Sequence, residues 1–151
     1  MKYIESAREG SGDECLFCSL RERTDDAEAF ILERGSTAFA MLNAFPYNPG
    51  HLMVAPYRHV ADLDGLDEAE VSETGRLLAR CQTALREEMG PDGFNVGMNL
   101  GRVAGAGVPG HLHWHVVPRW NGDTNFMPVV GETRVLPESL DDTYRKLAPR
   151  F

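Results

Sequence analysis

Three of the chain's five histidines fall in one short run, HLHWHVVPRW, at positions 111, 113 and 115. Imidazole does three kinds of chemistry near neutral pH: it binds metals, it moves protons, and as a free base it attacks electrophiles such as phosphorus. With an ordinary pKa near ~6.5, much of it is unprotonated at pH 7. The run reads as a strand, in which alternate residues share a face. That would line up His111, His113 and His115 with side chains ~6.5–7 Å apart, a spacing able to bracket one phosphate. Three half-buried imidazoles side by side lose hydration and repel one another when charged. A purely structural set is therefore disfavoured, which leaves a metal site and a phosphate site as alternatives. GRVAGAGVPG (101–110) feeds directly into the run. Its glycines let backbone amides close around an anion, which favours phosphate. A metallohydrolase would need an acidic ligand or base close by, and HLHWHVVPRW supplies none.

The elements that must hold these residues are legible in part. STAFAMLNAF (36–45) reads as a strand ending near Asn43, and PYNPG (46–50) carries turn residues. HLMVAP (51–56) reads as a second strand, stopped by Pro56. Residues 66–90 form the clearest helix: Val71, Leu77, Leu78, Cys81, Leu85 and Met89 recur at helical spacing, acids crowd the first turns, and Gly90 and Pro91 end it. FNVGMNLG (94–101) alternates as a strand does. RWNGDTNFMPVVG, after Pro118, reads as loop, and PESLDDTYRKLA (137–148) as a short helix opened by Pro137 and Glu138. The expected class is α+β, an antiparallel sheet with one long helix and a short C-terminal one.

The chain has 151 residues, 42% of them hydrophobic, which fits one domain over 1–151. Residues 1–14 are polar and expected to be flexible, and 119–151 would extend the same domain. A net charge of −8 argues against binding a nucleic-acid backbone. No apolar run spans a bilayer and the N-terminus lacks a signal-peptide core, so a cytoplasmic protein without membrane partners is expected. Three cysteines in such a chain do not suggest a disulfide framework. Cys81 reads as a small buried apolar residue. Cys15 and Cys18 form a CxxC, which redox, zinc and chance origins all explain.

GHLMVAP (50–56), the Gly-rich loop and HLHWHVV (111–117) together resemble the histidine triad family of nucleotide hydrolases and transferases. The likeness covers roughly residues 15 to 120. PYNPGHLMV, FNVGMNLG and HVVPRWNGDTNFM are further similar to the bacterial diadenosine tetraphosphate (Ap4A) phosphorylase branch. The resemblance implies that His113 is the nucleophile that attacks the α-phosphorus. It implies that His115 contacts the phosphate and offsets transition-state charge, and that His111 orients its neighbours or binds a metal. Asn43 would hydrogen-bond ribose hydroxyls. Asn99, Gly107, Val108 and Gly110 would lie at the phosphates. His51 would be a hydrogen-bonded structural residue away from the chemistry. Some branches hold a structural zinc ion on a Cys2His2 group, and Cys15, Cys18, His59 and His111 fill those positions here. The resemblance further implies Mg²⁺ with the nucleotide substrate, and a homodimer or higher homo-oligomer, since family members are commonly dimers. Many members carry a Gln in the loop before the triad, but GAGVPGH (105–111) has none. Backbone amides of Gly107 to Gly110 would replace it, and phosphate instead of water as acceptor is compatible with its loss.

The implied activity is cleavage of dinucleoside polyphosphates through a covalent nucleotidyl-histidine, by phosphorolysis of Ap4A to ADP and ATP. The alternatives are a hydrolase of dinucleotides or nucleoside phosphoramidates and a non-catalytic nucleotide-binding regulator. Arg58, Arg102 and Arg119 are the nearest cations in sequence, and Trp120 and Phe126 are aromatics that would pack on a partner or close over a base.

Overall fold

The computed structural model describes residues 15–123 and 138–151. The expectations for residues 1–14, for Phe126 and for Pro137 lie outside them.

The chain runs α1 (Leu16–Glu22), β1 (Ile31–Arg34), β2 (Ala38–Leu42), β3 (Leu52–Pro56), α2 (Glu68–Met89), β4 (Gly93–Gly97), β5 (Trp114–Arg119) and α3 (Leu140–Leu147), with short 3-10 turns between. The five strands form one sheet in the order β1-β2-β3-β5-β4, with every pair antiparallel. The α+β class expected from the sequence is the class observed.

Strand alternation splits the core into two layers. Ala38, Ala40, Leu42, Leu52, Val54 and Val116 face α2 and α3, where they meet Leu77, Cys81, Ala84, Leu85 and Leu147. Phe39, Met41, Met53 and Ala55 face the other way and meet Phe17 and Leu20 of α1. Both faces of β2 and β3 are therefore buried, which explains their nearly continuous apolar runs. Cys81 lies at the centre of the α2 layer, and burial pushes its thiol pKa up to about 12.

Local signals set the boundaries. Asp67 caps α2 through a reciprocal box with Glu70, and Gly90 closes it in the left-handed region at φ 56°. Gly50 turns the chain into β3 at φ 81°, where a Cβ would meet Met89 Sδ at 2.8 Å and Leu85 Cδ2 at 2.9 Å. The C-terminal helix is opened by Ser139, and not by Glu138 as its sequence suggests: the Ser139 hydroxyl accepts from Asp142 N, while Glu138 lies before the helix and pairs with Lys146.

Three further expectations need correction. Val71 is 53% exposed. The first turns of α2 instead bury Glu70, Glu73 and Thr74, because the acids bond to neighbouring loops and the loss of water is compensated. β4 stops at Gly97, because Gly97 faces His115 and no ladder residue lies beyond. Val96 is half exposed on that edge strand. β5 begins only at Trp114, so His111 and His113 lie before the ladder. The ring of His111 bonds to Pro56 O and Leu112 N bonds to Val60 O, which pulls this stretch out of the sheet.

Candidate active site

The three imidazoles do not share one task, because the backbone turns before β5. His115, paired across the sheet with Met53 and Gly97, projects on the α1 side. His113 stands beside it, with ring centroids 5.0 Å apart and planes at 70°. Both line a cavity of about 780 Å³ that also takes in Phe17, Leu20, Met41, Asn43, Asn99, Gly107 and Val108. His111 is fully buried and turns instead toward the CxxC.

Hydrogen bonds fix which nitrogen of each neutral ring carries the proton. A backbone carbonyl can only accept. His113 Nδ1 lies 2.9 Å from His111 O, so Nδ1 is the donor and Nε2 keeps its lone pair. His111 Nε2 lies 2.8 Å from Pro56 O, which leaves Nδ1 as the free lone pair. His51 Nδ1 accepts from Tyr47 N at 3.1 Å, so its proton sits on Nε2, which donates to His115 Nδ1 at 2.8 Å. His115 must then carry its proton on Nε2. The result is a lone pair on His113 and an N–H on its neighbour.

Burial favours the uncharged rings. It brings His51 down to about 4, helped by the positive charge His115 and then His113 would carry. It brings His115 to about 4, helped by His113. His113 is also lowered by burial, against the bond to His111 O. The ring of Phe17 lies 4.8 Å from that of His113 and 5.1 Å from that of His111, so α1 closes the apolar side of both.

His51, expected to be a hydrogen-bonded structural residue away from the chemistry, is hydrogen-bonded, and its partner is His115. The sequence signal was present in GHLMVAP. What it lacked was the pairing of β3 with β5, which brings residues 51 and 115 together.

The remaining candidates separate. Asn43 lines the cavity and its Oδ1 accepts from Phe45 N at 2.9 Å. Asn99 lines it too and donates to Gly105 O at 3.4 Å. Gly107 and Val108 are in the lining, whereas Gly110 packs beside His59. Arg58 is tied to Glu70 at 2.6 Å and to Gly65 O, so it braces α2 and does not reach the cavity. Arg102 is exposed, and Arg119 pairs with Asp123 at 2.6 Å.

Cys15, Cys18, His59 and His111 place their ligand atoms within 4.8 Å of one another. Sγ of Cys15 is 3.3 Å from His111 Nδ1, and Sγ of Cys18 is 3.4 Å from His59 Nδ1. Two sulfurs and two imidazole nitrogens are a tetrahedral zinc donor set. The free lone pair of His111 points at it, and Pro56 O supplies the outer hydrogen bond that metal-binding histidines usually have.

Residues 24–122 match the HIT domain family. A Mycobacterium tuberculosis protein named AP-4-A phosphorylase is 46% identical over 126 residues, which are 83% of this chain and 65% of that relative. The chain thus spans just under two thirds of that relative's length. An adenosine 5'-monophosphoramidase of Schizosaccharomyces pombe is 29% identical over 71% of the chain and 75% of its own length. Among solved structures, a zinc-bound histidine triad family protein from Mycobacterium smegmatis superposes with a TM-score of 0.73 at 27% identity, covering 93% of this chain and 94% of that one.

Proposed function

Because the chain belongs to the HIT domain family, we propose that it cleaves dinucleoside polyphosphates by transferring a nucleotidyl group to His113 and then to inorganic phosphate. The observation that carries this reading is the bond from His113 Nδ1 to His111 O, which directs the reactive lone pair to Nε2 of a ring lining the large cavity.

In the first step Nε2 of His113 bonds to the α-phosphorus, and the bond from phosphorus to the departing polyphosphate oxygen breaks. His115 offers its Nε2–H to that oxygen and disperses the charge that builds there. The imidazolium formed on His113 keeps its Nδ1–H on His111 O. In the second step an oxygen of inorganic phosphate bonds to phosphorus and the nitrogen–phosphorus bond breaks. Diadenosine tetraphosphate and phosphate give ATP first and ADP second. Splitting one displacement into two lowers each barrier. The apolar part of the cavity, with Phe17, Leu20 and Met41, receives the adenine, and Asn43 faces the ribose. The backbone of Gly107 and Val108 lies along the phosphates in place of a glutamine side chain.

We also assign a zinc ion to Cys15, Cys18, His59 and His111. Bound there, it fixes the start of α1 against the segment that leads into β5. The similarity to a zinc-bound relative and the donor geometry support this.

A product assay on diadenosine tetraphosphate with and without inorganic phosphate tests the reaction. ADP and ATP in equal amounts, formed only with phosphate, are expected. AMP and ATP formed at the same rate without phosphate would make the protein a hydrolase, and no turnover of any dinucleotide would overturn the reading.

A further inference from the structure

The large cavity runs along α1, and the helix orders what lines it. Phe17, Leu20 and then Arg23, the C-cap, contribute in turn. Phe17 packs on the ring of His113 at 4.8 Å, and Arg23 lies about 9 Å further along the helix axis. The histidines therefore mark one end of the cavity, and the turn between α1 and β1 marks the other. From that turn Glu28, Ala29 and Phe30 join the lining. Histidines aside, Arg23 and Glu28 are the charged side chains among the described lining residues. Arg23 is engaged by Asp25 at 2.7 Å. Glu28 is exposed to the cavity mouth, and its carboxylate bonds to no described residue.

The turn that carries Glu28 is held from several directions. Ala29 N donates to Asp25 O at 3.0 Å, Ile31 N to Asp26 O at 2.9 Å, and Leu42 N to Phe30 O at 2.9 Å, which ties the turn to β2. Arg34 reaches back from β1. Its guanidinium donates to the Asp26 carboxylate at 2.9 Å, to Arg23 O at 2.6 Å and to Arg21 O at 3.2 Å. Phe30 is forced to φ 56°, a left-handed conformation that a bulky residue adopts only where its surroundings impose it. Strain of this kind gathers where a ligand is gripped.

A nucleotide with its α-phosphate at His113 and its ribose at Asn43 directs its base toward this turn. The outer edge of adenine carries the 6-amino group, an N–H donor, and a carboxylate is an acceptor. An apolar cavity alone discriminates weakly between bases of similar size, whereas a fixed hydrogen-bonding group rejects a ligand that lacks its counterpart. We propose that Glu28 is a specificity-determining residue that accepts a hydrogen bond from the 6-amino group of the adenine next to the attacked phosphorus, and that Arg34 positions it through the turn. The inference rests on the proposed reaction and adds to it a reader of the base edge.

Diadenosine tetraphosphate and the corresponding di(purine riboside) tetraphosphate differ only in the 6-amino groups. The wild-type protein is expected to favour the former in kcat/KM by about fivefold or more, the value of one hydrogen bond to a charged group at a solvent-facing site. Glu28→Leu should bring that ratio close to one by raising KM for diadenosine tetraphosphate. Arg34→Lys keeps the charge but loses the planar fork, and should lower the ratio in part. A merely structural Arg34 would instead lower the melting temperature and leave the ratio as it was, which would remove Arg34 from the proposal. Equal kcat/KM for both substrates in the wild type, or a ratio unchanged in Glu28→Leu, would overturn the inference while leaving the reaction intact. Turnover of neither substrate by the wild type would defeat the proposed reaction, and this inference with it.

Discussion

Nδ1 of His113 lies 2.9 Å from the carbonyl oxygen of His111, and the ring of that same His111 lies 3.3 Å from the thiol of Cys15. The group that orients the proposed nucleophile is thus the backbone of a residue whose side chain belongs to the proposed metal-ligand cluster. His113→Ala removes the proposed attacking nitrogen and should lower turnover by about 10,000-fold, as loss of a nucleophile does elsewhere. Circular dichroism and melting temperature should stay close to wild type. Appreciable turnover in a folded variant would contradict the assignment.

In the proposed reaction His51 would act through His115, which it hydrogen-bonds at 2.8 Å. With His51→Gln the Nδ1 partner changes and the proton of His115 is no longer held on Nε2. A fall in kcat of roughly 10- to 100-fold with KM nearly unchanged is expected. A purely structural His51 would instead lower the melting temperature and leave kcat per folded molecule as it was.

The same two rings give stability a pH dependence. Both have folded pKa values of about 4, below the ordinary 6.5, because burial disfavours their charged forms. Between pH 6.5 and 4 the unfolded chain therefore binds protons that the native one does not, and stability falls as pH falls through this window. Above pH 6.5 their contribution should be flat. Thermal melts of wild type and His51→Gln should show a shallower slope in the variant between those limits, and parallel slopes would count against the burial of His51.

Metal analysis of protein purified without chelator or a histidine tag should find one zinc per chain. Cys15→Ser should reduce that content, lower the melting temperature and slow turnover by about tenfold or more through His111. Well under one zinc in the wild type would remove the metal from the account.

Glu73 tests the frame apart from the site. Its buried carboxylate accepts from Ser36 N at 2.8 Å and from Thr37 N and Oγ1, tying the β1–β2 turn to α2. Glu73→Ala strands those donors and should cost about 2–4 kcal/mol in a denaturant titration. A loss under about 0.5 kcal/mol would be the value of an ordinary surface substitution.

The residues that were hard to read in sequence are those fixed by distant partners. β2, β3 and α2 were legible because their apolar spacing and end signals are local, and so was the presence of α3, though its cap is Ser139 and not Glu138. α1 has only seven residues and β1 only four, and both owe their burial to a sheet that must already exist. The spacing of His111, His113 and His115 drew attention to the right segment. It could not show that His111 leaves the shared face, since that depends on Pro56 and Val60, about fifty residues earlier. Glu70 and Glu73 read only as acids of the first helical turns, and His51 as a structural residue, for the same reason.

The central claim is a covalent bond between His113 and the α-phosphorus. Rapid acid-free quenching of a reaction with diadenosine tetraphosphate labelled at both α-phosphates, followed by peptide mapping, measures it directly. The account predicts label on the peptide bearing His113, formed within one turnover, stable to base, labile to acid and discharged as ADP by inorganic phosphate. Full turnover with no protein-bound label, or with label on a peptide lacking His113, would contradict it.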